Sequence, residues 1–123
     1  MARTGKIHKF EDLIAWEKSK LLSVSIYRVS SKKSFTKDYA LKDQIRRASI
    51  SIMSNIAEGF ERYSKKEFRQ FLSIARGSAA EVRSQLYLAH GLGYISKEEF
   101  TELVDRCYEI SKIIGGLRSS LKL

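Results

Sequence analysis

The sequence has 123 residues, of which 43% are hydrophobic, so it is long enough for one domain with one core and too short for two. It carries 23 Lys and Arg against 14 Asp and Glu, a net charge of +9, with one Cys and no Pro. A single Cys excludes an internal disulfide, and no apolar run approaches the ~20 residues that cross a bilayer.

The positive charge is concentrated in the first half of the chain. Residues 1–66 carry 15 basic and 7 acidic side chains, whereas residues 67–123 carry 8 basic and 7 acidic ones. Such an asymmetry indicates a polyanionic partner and says nothing about fold. The basic stretch at residues 1–9 meets Glu11 and Asp12 before any apolar run of signal-peptide length, so we expect a cytoplasmic protein.

Hydrophobic spacing of three and four residues predicts four helices and no strand. We expect an all-α fold, an antiparallel up-down-up-down four-helix bundle, because connections of about four residues favour antiparallel neighbours. Residues 1–10 are predicted to form a basic N-terminal arm, and residues 11–123 a single four-helix bundle domain.

The first helix is predicted from about Asp12, a candidate N-cap, to Ser31. Its inner stripe is predicted to contain Leu13, Trp16, Val24 and Tyr27, widened by Leu22, Ile26 and Val29. The second helix is predicted from a cap at Thr36 to about Arg62, with Gly59 as its weakest point. Its buried positions are predicted to be Leu41, Ile45, Ala48, Ile52 and Ile56.

Capping boxes mark the starts of the third and fourth helices, at Ser64 with Glu67 and at Ser96 with Glu99. The inner positions of the third helix are predicted to be Phe68, Phe71, Leu72, Ala75, Val82, Leu86 and Ala89. Those of the fourth are predicted to be Phe100, Leu103, Cys107, Ile110, Ile114, Leu117 and Leu121.

We expect no catalytic residue, metal site or cofactor. Neither His8 nor His90 has a Glu three residues before it, as the Glu-x-x-His metal sites of helical bundles require. Cys107 falls on an apolar face, where a core thiol is expected rather than a nucleophile. No Ser-His-Asp set, phosphate-binding loop or dinucleotide motif is present, so the chain is not predicted to be an enzyme.

The basic residues predict binding of RNA or DNA through phosphate contacts, independent of sequence and weakened by salt. The residues expected to face phosphates are Lys42, Arg46, Arg47, Lys65, Lys66 and Arg69. Further cations are Arg3, Lys6 and Lys9 in the arm and Lys32, Lys33 and Lys37 in the predicted turn between the first and second helices. The alternative function is a protein-interaction or scaffolding oligomer whose charge serves solubility.

Polar residues recur at helical spacing on the second and third helices. They are Gln44, Arg47, Ser51, Asn55, Glu58 and Arg62 on the second helix, and Ser78, Glu81 and Gln85 on the third. Two interpretations are open. The stripes are either a solvated face or hydrogen-bonded seams between helices or subunits, because polar groups leave water only when they are paired.

Several motifs resemble one bacterial family. They are Gln44-Ile-Arg-Arg-Ala48, Ser54-Asn-Ile-Ala-Glu-Gly59, Glu67-Phe-Arg-Gln-Phe-Leu72, Ala75-Arg-Gly-Ser78, Phe10-Glu-Asp-Leu-Ile-Ala-Trp16 and Leu92-Gly-Tyr94. Together they resemble the bacterial four-helix bundle proteins, also called the 23S rRNA intervening-sequence protein family. One departure is Met53, which stands where the family usually has proline, so a kink in the second helix is expected to be weaker.

The resemblance implies a cytoplasmic bundle that assembles as a homopentamer and has no enzymatic activity. Genes of that family can lie in inserts within large-subunit rRNA genes. Accessory proteins of diversity-generating retroelements are similar in architecture and bind nucleic acid and a reverse transcriptase. The expected partners are therefore copies of the chain itself, RNA or DNA, and a reverse transcriptase or another nucleic-acid enzyme, with no membrane.

Overall fold

The computed structural model describes residues 7–122, which contain five α-helices and no β-strand. A 3₁₀ turn at Phe10–Asp12 precedes α1 (Ile14–Ser30), α2 (Lys33–Lys37), α3 (Tyr39–Phe60), α4 (Lys65–Gly91) and α5 (Lys97–Ser120). The four predicted helices correspond to α1, α3, α4 and α5, and the all-α class is confirmed. The helix α2 is an additional single turn that the spacing of apolar residues did not predict.

The predicted starts of the first two helices are wrong. Asp12 belongs to the 3₁₀ turn, and α1 begins after Leu13, whose side chain cannot accept a hydrogen bond. Thr36 lies inside α2, and α3 begins after Asp38, whose Oδ1 accepts the Leu41 backbone N–H at 3.1 Å. The carboxylate of Asp38 therefore satisfies one of the donors that every helix start leaves free.

The starts of α4 and α5 carry the predicted Ser caps. Ser96 Oγ accepts the Glu99 N–H at 3.0 Å, and Glu99 accepts the Ser96 N–H at 2.9 Å, so this capping box is complete. Ser64 Oγ likewise accepts the Glu67 N–H, but the Glu67 carboxylate accepts from the Ser64 hydroxyl and leaves the Ser64 backbone N–H free of it. The box at α4 is therefore half formed.

One hydrophobic core joins all four long helices. All five predicted inner positions of α3 are buried, and Leu103, Cys107, Ile110 and Ile114 of α5 are buried as predicted. The predicted stripe of α1 is wrong in part, because Val24 and Tyr27 are exposed. Because α1 packs between α3 and α5, the residues that it buries differ from those of the predicted stripe. The buried residues of α1 are Ala15, Ser19, Leu22, Ser23, Ile26, Val29 and Ser30.

Contacts between long helices link α1 with α3 and α5, and α4 with α3 and α5. In the α1–α5 contacts the residue number rises on one helix as it falls on the other. The α1–α5 pairs are Lys18 with Glu109 and Ser25 with Arg106, and Lys32, two residues after α1, pairs with Glu99. The helices α3 and α4 meet at Ser51 and Ser78. We call the region around the α3 N-terminus, the α1 C-terminus and the α4–α5 turn the first end. The second end comprises the C-terminus of α3, the N-terminus of α4 and the C-terminus of α5.

At the second end, α3 and α4 approach closely at Gly59. A Cβ on Gly59 would lie 2.6 Å from Phe71 Cβ and 3.0 Å from Phe68 Cδ1, closer than side-chain atoms pack. The helix α3 continues past this glycine to Phe60 and also runs unbroken through Met53. Gly59, predicted as a weak point of the helix, is therefore a position at which α4 packs closely against α3.

At the first end, Phe35 of α2 and Tyr94 of the α4–α5 turn form an aromatic pair with ring centroids 5.1 Å apart. Phe35 is fully buried. The Tyr94 hydroxyl donates to Asp38 Oδ2 at 2.9 Å, and this hydrogen bond raises the pKa of Tyr94. The short helix α2 thus anchors the α4–α5 turn to the start of α3.

Candidate nucleic-acid interface

The six residues predicted to face phosphates lie at opposite ends of the molecule. Lys42, Arg46 and Arg47 belong to the first turns of α3, whereas Lys65, Lys66 and Arg69 belong to the first turns of α4. The α3 helix between Lys42 and Phe60 is about 27 Å long at 1.5 Å per residue. The structure therefore brings the six residues together as two groups of three, and not as one patch.

At the first end, basic side chains lie beside exposed aromatic rings. Lys42 Nζ lies 4.8 Å from the centroid of the Tyr39 ring, and Tyr39 is 69% exposed. Arg47 is exposed, and among the described residues it has neither an ion pair nor a side-chain hydrogen bond. The arrangement offers point charges for phosphates and a free ring face to which a base can stack.

Arg46 caps the C-terminus of α1. Its Nε donates to Ser30 Oγ at 2.8 Å, and its Nη2 donates to Ser31 Oγ at 3.0 Å and to the Tyr27 carbonyl at 3.3 Å. The guanidinium also lies 4.4 Å from the centroid of the Tyr27 ring. A cation at this position is favoured by the helix dipole, so Arg46 supports the fold as well as contributing positive charge.

Arg69 plays the matching part at the second end. Its Nη1 donates to the carbonyl oxygens of Arg118 at 2.7 Å and of Leu121 at 3.0 Å, at the end of α5. Lys65 and Lys66 are exposed in the first turn of α4. Their charges add to the positive end of the helix dipole, and this is a favourable place for a phosphate.

Few of these positive charges are neutralised within the molecule. Among the side chains that the structure describes, the ion pairs involve only three cations, which are Lys18 with Glu109, Lys32 with Glu99, and Arg62 with Glu58 and Glu67. Arg46, Arg69, Arg106 and Arg118 donate instead to neutral hydroxyl or carbonyl oxygens. These arginines have hydrogen-bond acceptors but no negative charge beside them. A positive field therefore remains at the surface.

The predicted polar seam is formed in part. Ser51 Oγ and the buried Ser78 Oγ are 2.8 Å apart across α3 and α4, and Asn55 Nδ2 donates to Ser51 Oγ at 2.9 Å. Gln85 Nε2 donates to the exposed Glu81 at 3.3 Å, while Gln85 Oε1 is buried with no hydrogen-bond partner in the described residues. Hydrogen bonding between α3 and α4 thus occurs at the middle of the predicted polar stripes.

Two predicted seam residues lie outside this network. Gln44 is exposed, and Glu58 is exposed and pairs with Arg62 one turn later at 2.8 Å. Two residues with a place in the interface were missed by the sequence analysis, namely Tyr27 and Tyr39. Tyr27 was assigned to the inner stripe of α1. A sequence signal exists for Tyr39 alone, because Lys42 follows it by three residues on the same helix. The cation that contacts Tyr27 is Arg46 of another helix, which the sequence does not reveal.

The described residues offer neither a reactive thiol nor a metal-binding cluster. Burial raises the pKa of the Cys107 thiol to about 12, so the thiol stays protonated at neutral pH. No group of three or more His, Cys, Asp or Glu side chains that is able to hold a metal ion occurs between residues 7 and 122. Arg3 and Lys6 of the predicted arm lie outside the described residues, and Lys9 is exposed.

None of the helices within the described range is both long and apolar enough to cross a membrane. Residues 11–116 match the model of the family described as 23S rRNA-intervening sequence protein. A crystal structure of a protein of unknown function from the S23 ribosomal protein family of Bacteroides thetaiotaomicron is 27% identical to the chain. It superposes with a TM-score of 0.78 and covers 85% of this chain and 97% of that one. Among curated proteins, none matches the chain.

Proposed function

The chain belongs to the 23S rRNA-intervening sequence protein family, and from this membership and its basic ends we propose that it binds RNA or DNA through phosphate contacts without catalysing a reaction. The observation that carries the proposal is the set of exposed cations at both ends whose charge no acidic side chain in the described part of the chain neutralises. Arg47, Lys65 and Lys66 are the clearest of them.

Cations of this kind release counterions from a polynucleotide when they contact phosphates, so the affinity does not depend on base sequence. Lys42 and the fixed guanidinium groups of Arg46 and Arg69 add to the field at the same two ends. The name of the family supports a ribosomal RNA as the first candidate ligand. A role as accessory to a nucleic-acid enzyme such as a reverse transcriptase follows from the resemblance described above.

The proposed assembly is an antiparallel up-down-up-down four-helix bundle that forms a cytoplasmic homo-oligomer, a pentamer by its resemblance to the family. The opposing residue numbers in the α1–α5 contacts support the antiparallel order. Exposed apolar side chains on α4 support self-association, since Ile74 is 51% exposed and Leu88 is 53% exposed. Such side chains lose their contact with water when a second copy covers them.

Titration of fluorescently labelled rRNA fragments across a salt series tests nucleic-acid binding. We expect a slope of log affinity against log salt of about −4 or steeper, since several phosphates are contacted. Replacing Arg47, Lys65 and Lys66 together by Ser removes exposed charge without disturbing a hydrogen bond and is expected to flatten the slope by about three. Lys112→Ser, an exposed change on α5, is the matched control. Absent binding or a flat slope would contradict the proposal.

The second candidate function is a scaffold that binds proteins only. The observation in its favour is the seam between α3 and α4, whose buried Gln85 Oε1 has no hydrogen-bond partner in residues 7–122. The salt series distinguishes the two functions, because a scaffold gives a flat or absent response. Light scattering combined with Glu81→Ala tests the seam itself. A scaffold seam predicts a smaller assembly and a lower melting temperature for the variant, whereas a solvated face predicts no change in either quantity.

A further inference from the structure

A groove runs along the surface between α1 and α3, next to the basic residues of the first end. Its lining includes Lys20, Ser23, Val24, Tyr27 and Arg28 of α1 and Met53 of α3. Val24, Met53 and the Tyr27 ring make the interior largely apolar, while Lys20 and Arg28 supply positive charge. The groove and the neighbouring cavity that contains Arg46 and Arg47 share Tyr27 as a common wall.

The hydroxyl group of Ser23 lacks a hydrogen-bond partner. Ser23 is 6% exposed, and its Oγ is buried with no partner among the described residues. The other buried serines of α1 behave differently, because Ser19 and Ser30 donate to the carbonyl oxygens four residues earlier at 2.7 and 2.6 Å. A buried hydroxyl without a partner costs stability, so a ligand that supplies one is bound more tightly.

The Tyr27 side chain is held in place from one side. The Arg46 guanidinium lies 4.4 Å from the ring centroid and is itself fixed by Ser30 and Ser31. Tyr27 remains 39% exposed. A ring immobilised in this way loses little conformational entropy when a flat ligand stacks against it.

The charge around the groove has one sign. No acidic side chain lines it, and Arg28 has neither an ion pair nor a side-chain hydrogen bond within the described chain. Beyond Tyr27, Arg46 and Arg47 continue the positive surface, with Asp43 as the one acid in that cavity's lining. The groove therefore suits a ligand whose flat, partly apolar part carries polar edge atoms and is joined to negative groups.

We propose that this groove binds one unstacked nucleobase of a single-stranded RNA or DNA segment. Tyr27 provides the stacking surface, the Ser23 side chain rotates about χ1 to present its hydroxyl to the edge of the base, and Lys20, Arg28 and Arg47 contact the flanking phosphates. A duplex holds its bases inside the stack and cannot fill the groove, so single strands are bound preferentially. This inference rests on the proposed nucleic-acid binding and specifies the form of nucleic acid.

An aliphatic side chain from a second copy of the protein is the competing occupant. It would fill the apolar part of the groove but would leave the Ser23 hydroxyl without a partner. It would also leave Lys20 and Arg28 without a countercharge. The nucleobase accounts for the hydroxyl, the ring and the cations together, and for this reason we prefer it.

Fluorescence anisotropy with a labelled single-stranded RNA of about 12 nucleotides, and with the duplex that it forms with its complement, tests the inference. We expect the full-length protein to bind the single strand roughly tenfold more tightly than the duplex. Val24→Trp blocks the groove from an exposed position and should bring the affinity for the single strand down to that for the duplex. Affinity for the duplex should not change.

Ser23→Ala is the second variant and decides the matter if Val24→Trp does not fold. Because the hydroxyl has no partner, its loss should leave the melting temperature unchanged or raise it, while the affinity for the single strand falls roughly threefold. A structural role for Ser23 would instead lower the melting temperature. Lys112→Ser is again the control that keeps both affinities.

Two outcomes overturn the inference while the proposed function stands. One is equal, salt-dependent affinity for single strand and duplex with no effect of Val24→Trp or Ser23→Ala. The other is a change of oligomer mass in Val24→Trp without any change in single-strand affinity, which would make the groove a contact between copies. Failure to bind either probe overturns the proposed function and the inference together.

Discussion

The two ends of the molecule carry similar numbers of basic residues on different kinds of surface. At the first end, Lys42 lies against the exposed ring of Tyr39 and Arg46 against that of Tyr27, which also lines the groove that contains Ser23. At the second end, Lys65 and Lys66 stand on a tightly packed base, where Phe60 and Phe68 pack edge to face with centroids 5.9 Å apart. The first end combines charge with exposed rings and a groove, and the second offers charge alone.

This difference shows that a cluster of Lys and Arg in a sequence does not define a binding site. Arg46 and Arg69 were predicted for the same role, and each turns out to cap the C-terminus of a neighbouring helix. What distinguishes the two ends is the packing under the cations. At the second end Gly59 lets the helices close, and at the first end α1 and α3 leave a groove.

The largest effect is expected from Gly59→Ala, which tests the tight packing of the second end. The added Cβ would lie 2.6 Å from Phe71 Cβ, an atom fixed directly to the α4 backbone, so α3 and α4 must separate. We expect the free energy of unfolding to fall by about 2 kcal/mol, as for other overpacked cores, measured by urea denaturation.

Gly77→Ala is its matched control. A Cβ on this helical glycine meets no atom within 4 Å, so the higher helix propensity of Ala should raise stability by about 0.5–1 kcal/mol. If Gly59→Ala lowers the free energy of unfolding while Gly77→Ala raises it, the effect at Gly59 comes from lack of space and not from helix propensity. A stabilised Gly59→Ala protein would disprove the close packing of the second end.

A smaller effect is expected from removing each helix-capping arginine. Arg46→Ala and Arg69→Ala both withdraw hydrogen bonds from a helix C-terminus and should each cost about 1 kcal/mol in urea denaturation. Arg47→Ala, at an exposed position without such bonds, should stay within about 0.5 kcal/mol of the parent protein. Equal losses for all three variants would mean that the caps contribute nothing beyond general charge.

The smallest effect is expected from Glu99→Gln at the first end. The Lys32 ammonium, followed by the Ser96 backbone N–H, holds the pKa of Glu99 below its ordinary value of 4.5. A lowered pKa contributes stability above that value, and the contribution is lost as pH falls through the folded-state pKa. Gln keeps the capping role but not the charge, so the variant should be less stable by under about 1 kcal/mol at neutral pH.

Melting curves of both proteins between neutral and acid pH provide the measurement for Glu99. The melting temperatures of the two proteins should become equal below the folded-state pKa of Glu99, because there the parent protein has lost the charge as well. A difference that persists unchanged into acid would show that the Lys32 contact does not stabilise the first end electrostatically.

Much of the fold could be predicted from the sequence, because the helices of the core have one clear apolar face. Leu41, Ile45 and Ile52 are buried at the spacing that predicted them. The prediction was wrong for α1, where Val24 and Tyr27 are exposed, because two neighbouring helices bury a wider sector that includes three serines. Hydrophobicity cannot reveal a serine that is buried by donating to its own helix.

The candidate site was less predictable. The sequence identifies Arg46 as a cation, but only the structure shows that its guanidinium lies against Ser30 and Tyr27. Periodicity also cannot reveal α2, whose single turn is held by Phe35 packing under Tyr94. Contacts between residues far apart in the chain decide both features.

The carboxylate of Asp38 has a consequence for local opening. One of its oxygens accepts the Leu41 N–H at the start of α3, and the other accepts the Tyr94 hydroxyl in the α4–α5 turn. Fraying of the first turn of α3 would therefore also break a contact with a segment more than fifty residues away along the chain. We expect the amides of the two segments to become labelled together in hydrogen exchange.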